Sequence, residues 1–250
     1  MLKGIDVSSH NGYPLEGLAA AEYNKSDFVL VKATQGNYYV NPVCDPVIQD
    51  CITDNKLWGF YHYAGGCEAV VEAEYFVEHC RAYFGNGIPV IDWEAEQNQY
   101  FGNPNWVRRF VDRVHELTGV WCVIYVSWAT ISQVQNCVND CGLWVAQWGV
   151  SSPSSVDPWQ TWTIWQWTSN NGVLDQNYAQ LDRESWARIA IGDNTPKPAP
   201  TPEPIPSAIT TEQAIEKMAQ DVLAGMYGDG EDRKNRLYQT IQNKVNELCT

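Results

Sequence analysis

Along the first 192 residues, short apolar runs recur at a regular interval. They are LKGIDVS (2–8), FVLVKAT (28–34), LWGFYHY (57–63), IPVIDWE (88–94), VWCVIYVS (120–127), LWVAQW (143–148), TWTIWQW (161–167) and VLDQNYA (173–179). Each is four to eight residues long, rich in β-branched and aromatic side chains, and nearly continuous in its apolar character. That is the pattern of a strand buried on both faces. Helical spacing fills the gaps between the first several runs, most clearly over 73–86, starting near Glu72, and over NWVRRFVDRVHEL (105–117). Pro42 and Pro104 stand where helices can begin. The last three runs lie close together, with little room for helices between them.

Alternating strands and helices of this kind predict a parallel sheet covered on its outside. Eight strands in about 190 residues suggest a closed barrel related to the (β/α)8 type with its late helices reduced. An open doubly wound sheet is the alternative, but no GxGxxG loop follows a strand to support it.

After Gly192 the pattern changes. TPKPAPTPEPIP (195–206) has proline at every second position, which predicts an extended, semi-rigid spacer. Helical periodicity resumes in TTEQAIEKMAQDVLAGMYG (210–228), where Thr210 and Gln213 fit a capping box and Ile215, Met218, Val222, Leu223 and Met226 form an apolar stripe. A GDG turn at 228–230 interrupts it, and 231–248 continues through Leu237, Ile241, Val245 and Leu248. The expected organisation is a barrel over 1–192, a linker over 193–209 and a small all-α module over 210–250, the last near the lower size limit for independent folding.

Charge and composition narrow the function. A net charge of −14, without a Lys/Arg cluster, argues against nucleic acid, and no apolar run approaches the ~20 residues needed to span a bilayer. MLKGIDVSS lacks the basic-then-apolar order of an export signal, so the expectation is cytoplasmic synthesis followed by release through another route. The eight cysteines are expected to be mostly reduced, buried and inert. Cys44 and Cys51 would be about 10 Å apart on a helix, too far to bridge, and Cys137 and Cys141 have no partners at zinc spacing. No metal or other cofactor is implied.

The chemistry sits at the end of the fourth run. Asp92 and Glu94 are two apart, so on a strand they face one space while Trp93 faces another. A single strand-end Asp is usually a cap; a same-face pair of acids instead raises the pKa of its members and separates their protonation states. Glycoside hydrolysis needs that arrangement: one group to protonate the leaving oxygen and one anion to stabilise the positive sugar. Asp6, ending the first run, and Asp175, in the last, become neighbours if the barrel closes, so four acids would converge on one mouth. Tyr61, His62, Tyr125, Trp148 and Gln166, with Trp165 and Trp167 nearby, would supply aromatic faces and polar groups suited to sugar rings.

Taken together, GIDVSSHNG, FYHYA, VIDWEAE, VAQW, WQWTS and the late DQN resemble the family 25 glycoside hydrolases, over residues 1 to about 188. The resemblance implies a flattened barrel of five βα units and three further strands. It also implies a muramidase that cuts the β-1,4 bond between N-acetylmuramic acid and N-acetylglucosamine in the peptidoglycan of a Gram-positive wall, as a phage endolysin does. By the family pattern Glu94 is the general acid and Asp92 assists, either as nucleophile or by holding the substrate's 2-acetamido group. Asp6 and Asp175 flank them, and Asp182 in QLDRE lies past the motif. The tail resembles short muropeptide-type wall-binding repeats, which makes Tyr227, Arg233 and Arg236 its candidate contacts, and its apolar stripe leaves a homo-oligomer through the C-terminal helices open. The rival functions are a chitinase-like or other polysaccharide hydrolase and a non-catalytic glycan-binding barrel. The first would carry DxxDxDxE where this chain has DWE, and the second has no need for four intact acids.

Overall fold

The computed structural model describes residues 1–192. The elements run β1 (Leu2–Val7), α1 (Gly17–Lys25), β2 (Phe28–Gln35), β3 (Tyr39–Val40), α2 (Cys44–Thr53), β4 (Leu57–Tyr63), α3 (Ala69–Cys80), β5 (Ile88–Trp93), α4 (Pro104–Thr118), β6 (Val123–Ser127), β7 (Leu143–Ala146), β8 (Ile164–Thr168), β9 (Asp175–Ala179) and α5 (Arg183–Ile191). Eight strands close a barrel in the order β1, β9, β8, β7, β6, β5, β4, β2, with β1 paired back to β2 and the two-residue β3 added beside β2. The expected strands and the closed α/β barrel are present.

One strand runs against the expectation. β1, β2 and β4 to β8 are parallel to their neighbours, whereas β9 is antiparallel to both β8 and β1. The reason is length: only six residues separate Thr168 from Asp175, and a parallel crossover needs about a dozen or more. The longer 147–163 connection lets β8 stay parallel to β7 without a helix.

Alternation divides the strands between two cores. Phe28, Leu30, Tyr61, Ile88, Val90, Val123, Tyr125, Trp144 and Ile164 fill the barrel interior, while Val29, Val31, Phe60, Ile91, Trp93, Ile124, Val126 and Val145 pack outward against the helices. Gly4 makes room for this interior, because a Cβ there would lie 2.4 Å from the Phe28 ring. At the N-terminal end of the parallel strands α5 closes the barrel. Its Trp186 ring centroid is 4.9 Å from that of Phe28, and its Nε1 donates to the Trp58 carbonyl at 3.2 Å.

The helix boundaries follow local chemistry. Pro104 occupies the first turn of α4, Asn103 caps it by accepting from the Asn105 N–H, and Gly119 ends it in a left-handed conformation. α3 starts and stops earlier than its periodicity suggests, because residues 81–86 form turns after Cys80. Asp182 caps α5 by accepting from the Ser185 N–H, a structural task that keeps it out of the acid group. The seven described cysteines are all free, and six of them are buried. No helix among the described residues is long and apolar enough to cross a membrane. The linker, the 210–250 module and the candidates Tyr227, Arg233 and Arg236 lie outside the described residues.

Candidate active site

Each interior strand face climbs from apolar to polar. On β5 the inward sequence is Ile88, Val90, Asp92; on β2 it is Phe28, Leu30, Lys32; on β8 it is Ile164, Gln166. The polar ends meet at the C-terminal rim of the parallel strands around a cleft of about 620 Å3. Asp6, Asp92, Glu94 and Asp175 all line it. Asp175 reaches this rim from the start of β9, directly paired with Asp6, because the strand is reversed.

The acids fall into two pairs. Asp6 Oδ2 accepts from Asn177 Nδ2 at 2.7 Å and from Gln166 Nε2 at 3.2 Å. Burial, followed by the charge of Asp175, still pushes Asp6 well above the usual carboxylate range. Asp175 is also raised by burial, with a hydrogen bond from Asp6 holding it back. Asp92 is driven well above its ordinary value by burial and then by Glu94, against the opposing pull of Lys32. Its Oδ1 is buried with no hydrogen-bond partner among the described residues. Glu94, one residue beyond β5 and more open to the cleft, is raised by burial, with the Tyr125 hydroxyl opposing the rise and Asp175 and Glu96 adding to it. The Asp92–Glu94 pair therefore retains a proton under conditions where a solvated carboxylate would have lost it.

Tyr61, Tyr125, Trp148 and Gln166 line the same cleft as the acids. Gln166 links them: its Oε1 accepts from the Tyr125 hydroxyl and from Trp148 Nε1, both at 3.1 Å, while its Nε2 donates to Asp6. Trp148 is 54% exposed, a ring held by its N–H with its face available. Trp93 points away into the outer core, 5.1 Å from Trp106, with Nε1 donating to Gln133 at 2.8 Å.

Three sequence candidates do not reach the cleft. His62 is fully buried on the outward face of β4, stacked on Phe110 at 5.1 Å and bonded to Glu72 and Thr34. Its neighbour Tyr61 faces inward, and adjacent strand residues cannot share a face. The same parity turns Trp165 and Trp167 outward on either side of Gln166; the Trp165 Nε1 donates to the Gln147 carbonyl.

The structure adds groups that the sequence reading passed over. Lys32 lies 4.4 Å from the Tyr63 ring centroid and 5.8 Å from that of Tyr39, and it donates to Gln35 Oε1 at 2.7 Å. Burial lowers its pKa, while Asp92, Glu94 and Glu96 pull it back up. It carries the positive charge facing the acid group. Asn177, 1% exposed, receives Trp144 Nε1 at 2.8 Å and passes a donor on to Asp6. A charged residue inside the apolar run FVLVKAT, and an amide inside DQNYA, were the available signals. Among the described residues no group of three or more His, Cys, Asp or Glu is arranged to hold a metal ion.

Known proteins share this architecture. A muramidase from Acremonium alcalophilum superposes with a TM-score of 0.65 at 24% identity, covering 77% of this chain and all of that one. A family GH25 lysozyme from Aspergillus fumigatus gives 0.64 at 23%, covering 76% and 99%. These likenesses concern the fold. In sequence, an N,O-diacetylmuramidase of Chalaropsis sp is 29% identical over 66% of this chain and 87% of its own length. The lysozyme of Streptococcus phage Cp-7 is 26% identical over 98% of this chain and 69% of its own. Residues 216–249 match the CW_7 repeat. Residues 5–176, more than two thirds of the sequence and containing all four rim acids, match glycosyl hydrolases family 25, and the chain belongs to that family.

Proposed function

We propose that the cleft hydrolyses the β-1,4 bond between N-acetylmuramic acid and N-acetylglucosamine in peptidoglycan, with Glu94 as general acid. The observation that carries this reading is the Asp92–Glu94 pair on one face of the cleft, both raised by burial. Glu94 is the more open of the two, and it can hand its proton to the glycosidic oxygen of a bound strand. As that bond breaks, positive charge grows on the sugar ring, where the negative charge on the remaining carboxylates stabilises it.

Asp92 assists with retention of configuration. It either attacks the anomeric carbon or orients the 2-acetamido group of the substrate for internal attack. The second route suits a substrate that carries this amide, and activity retained on an analogue lacking the acetamido carbonyl would count against it. Asp6 and Asp175 set charge and orientation. Tyr61, Tyr125, Trp148 and Gln166 contact the sugars, with the exposed Trp148 ring as a stacking surface.

The working protein is a bacteriolytic endolysin of the phage type, acting at the Gram-positive wall. The CW_7 segment adds a second hold on that polymer and raises the effective concentration of the cleft along it. Arg233 and Arg236 are its candidates for pairing with stem-peptide carboxylates, and Tyr227 its candidate aromatic contact. Replacing both arginines by Ala is expected to weaken retention of the full chain on purified walls; unchanged retention removes them from this role.

The decisive experiment is Glu94→Gln, assayed by release of new reducing ends from Gram-positive walls. Turnover falls by about 10²- to 10⁴-fold while the fold is unchanged, the range for loss of a general acid. Near-normal turnover would take the acid role away from Glu94.

A further inference from the structure

Glu94 has a structural problem that Asp92 does not. The β5–β6 ladder ends at the Trp93–Val126 pair, so the residue proposed to deliver the proton sits on a loop. What holds that loop can be traced bond by bond. The Glu94 carbonyl accepts from Asn98 Nδ2 at 3.0 Å, and the Glu96 carbonyl accepts from the Tyr63 hydroxyl at 2.8 Å. Gln99 Nε2 then donates across to the Gly66 carbonyl at 2.6 Å, tying the segment to the loop between β4 and α3. The two loops touch because Gly66 has no side chain: a Cβ there would be 2.8 Å from the Gln97 carbonyl, and its φ of 83° also favours glycine.

The β4–α3 loop is in turn pinned from below by one carboxylate. Glu72 Oε2 accepts from the Gly65 N–H at 2.8 Å, and its Oε1 accepts from the Cys67 N–H at 2.5 Å. The third donor is His62, whose Nε2 lies 2.8 Å from Glu72 Oε2. Both side chains are completely buried. Burial lowers the His62 pKa, which favours the neutral ring. With Nε2–H donating to Glu72, Nδ1 is left to accept the Thr34 hydroxyl at 2.8 Å. Trp106 Nε1 closes the arrangement by donating to the Cys67 carbonyl at 2.8 Å.

We infer that Glu72, oriented by His62, is a positioning residue for the reaction: through Gly65–Cys67 and Gln99 it fixes the loop that aims Glu94. This rests on the reading of Glu94 as proton donor. A carboxylate is the group the site needs, because it accepts from all three donors at once. An amide of the same shape places its NH2 against at least one backbone N–H, whichever way it turns.

The test is Glu72→Gln, paired with Gln99→Ala, which cuts the tie between the loops without touching Glu72 itself. Each is assayed on a peptidoglycan oligosaccharide and on a glycoside of the same muramyl donor whose leaving group is 2,4-dinitrophenolate. That leaving group departs without a proton, so a misplaced acid costs it little, whereas a general loss of structure affects both substrates alike. Glu72→Gln is expected to lower kcat on the oligosaccharide by about 10- to 100-fold, the scale of an ångström-level misplacement, with KM within about 3-fold. The loss should shrink to less than about 3-fold on the activated glycoside, and Gln99→Ala should follow the same pattern more mildly. Equal losses on both substrates, a change confined to KM, or no loss in either variant would overturn the inference. If Glu72→Gln does not fold, Gln99→Ala decides alone. Glu94→Gln is run alongside: activity retained there removes the donor itself and with it the functional reading. Activity lost there but unchanged in the two positioning variants sinks this inference alone.

Discussion

Replacing Asn177 by Leu tests the polar floor of the cleft. The two side chains branch at the same atom, so volume and strand position are kept while two hydrogen bonds disappear. Trp144 Nε1, 2.8 Å from Asn177 Oδ1, is left facing a methyl group in a buried site, at a cost of about 1–3 kcal/mol. Asp6 Oδ2 loses its 2.7 Å donor and keeps the longer bond from Gln166. A bond to an ionised carboxylate is worth about 1.5–3 kcal/mol, but only once the group is ionised. Two regimes follow. Below the pH at which Asp6 ionises, the variant loses the Trp144 share and a neutral bond of about 0.5–1.5 kcal/mol; above it the larger, charge-assisted bond is lost instead. Urea denaturation at intervals from about pH 4 to 8 measures the difference, and each kcal/mol should lower Tm by roughly 2–4 °C for a domain of this size. A deficit that does not grow with pH would refute the claim that Asn177 supports the charged form of Asp6. No deficit at any pH would refute the burial argument for Trp144 as well.

The other expectations concern pH and the rim. Asp6, Asp92, Glu94 and Asp175 all hold protons more tightly folded than unfolded, so their contribution to stability is complete below the ordinary carboxylate range. It is lost as pH rises through their raised values. Asp92→Asn should therefore be more thermostable than the parent by a margin that widens with pH, while activity falls; a margin independent of pH would contradict this. The same comparison cancels His62, whose lowered pKa acts in the opposite sense. Trp148→Ala, at a half-exposed position, should leave Tm within about 2 °C, as surface substitutions do. Its KM for wall oligosaccharides should rise by about 2- to 10-fold, the equivalent of a stacking contact; an unchanged KM would mean that no sugar rests on that ring.

How far the sequence could be read is clearest at β4 and β5. Alternation in IPVIDWE correctly separates Asp92 and Glu94 from Trp93, because a strand offers two faces and the apolar neighbours say which is which. The same rule applied to GFYHY would have excluded His62 once Tyr61 was placed inside. What misled was residue type, since a histidine at a strand end resembles a site residue. The reversal of β9 was legible in principle from the short 169–174 connection, whereas Lys32 and Asn177 could be assigned to the cleft only once barrel closure showed which residues share a level. The Glu72 anchor was hidden for a different reason. Its partners are backbone N–H groups of Gly65 and Cys67, and no side-chain pattern announces a carboxylate that serves the main chain.

The antiparallel ladder between β1 and β9 has a mechanical consequence. Asp6 and Asp175 are opposite members of one continuous hydrogen-bonded register, so their separation can change only if the ladder slips, and a slip of one residue would turn Asp175 out of the barrel altogether. Glu94 hangs from a loop. The centre is thus held by main-chain pairing on one flank and by side-chain hydrogen bonds on the other. A side-chain substitution can therefore displace the proton carrier on the β5 side while Asp6 and Asp175 keep their register.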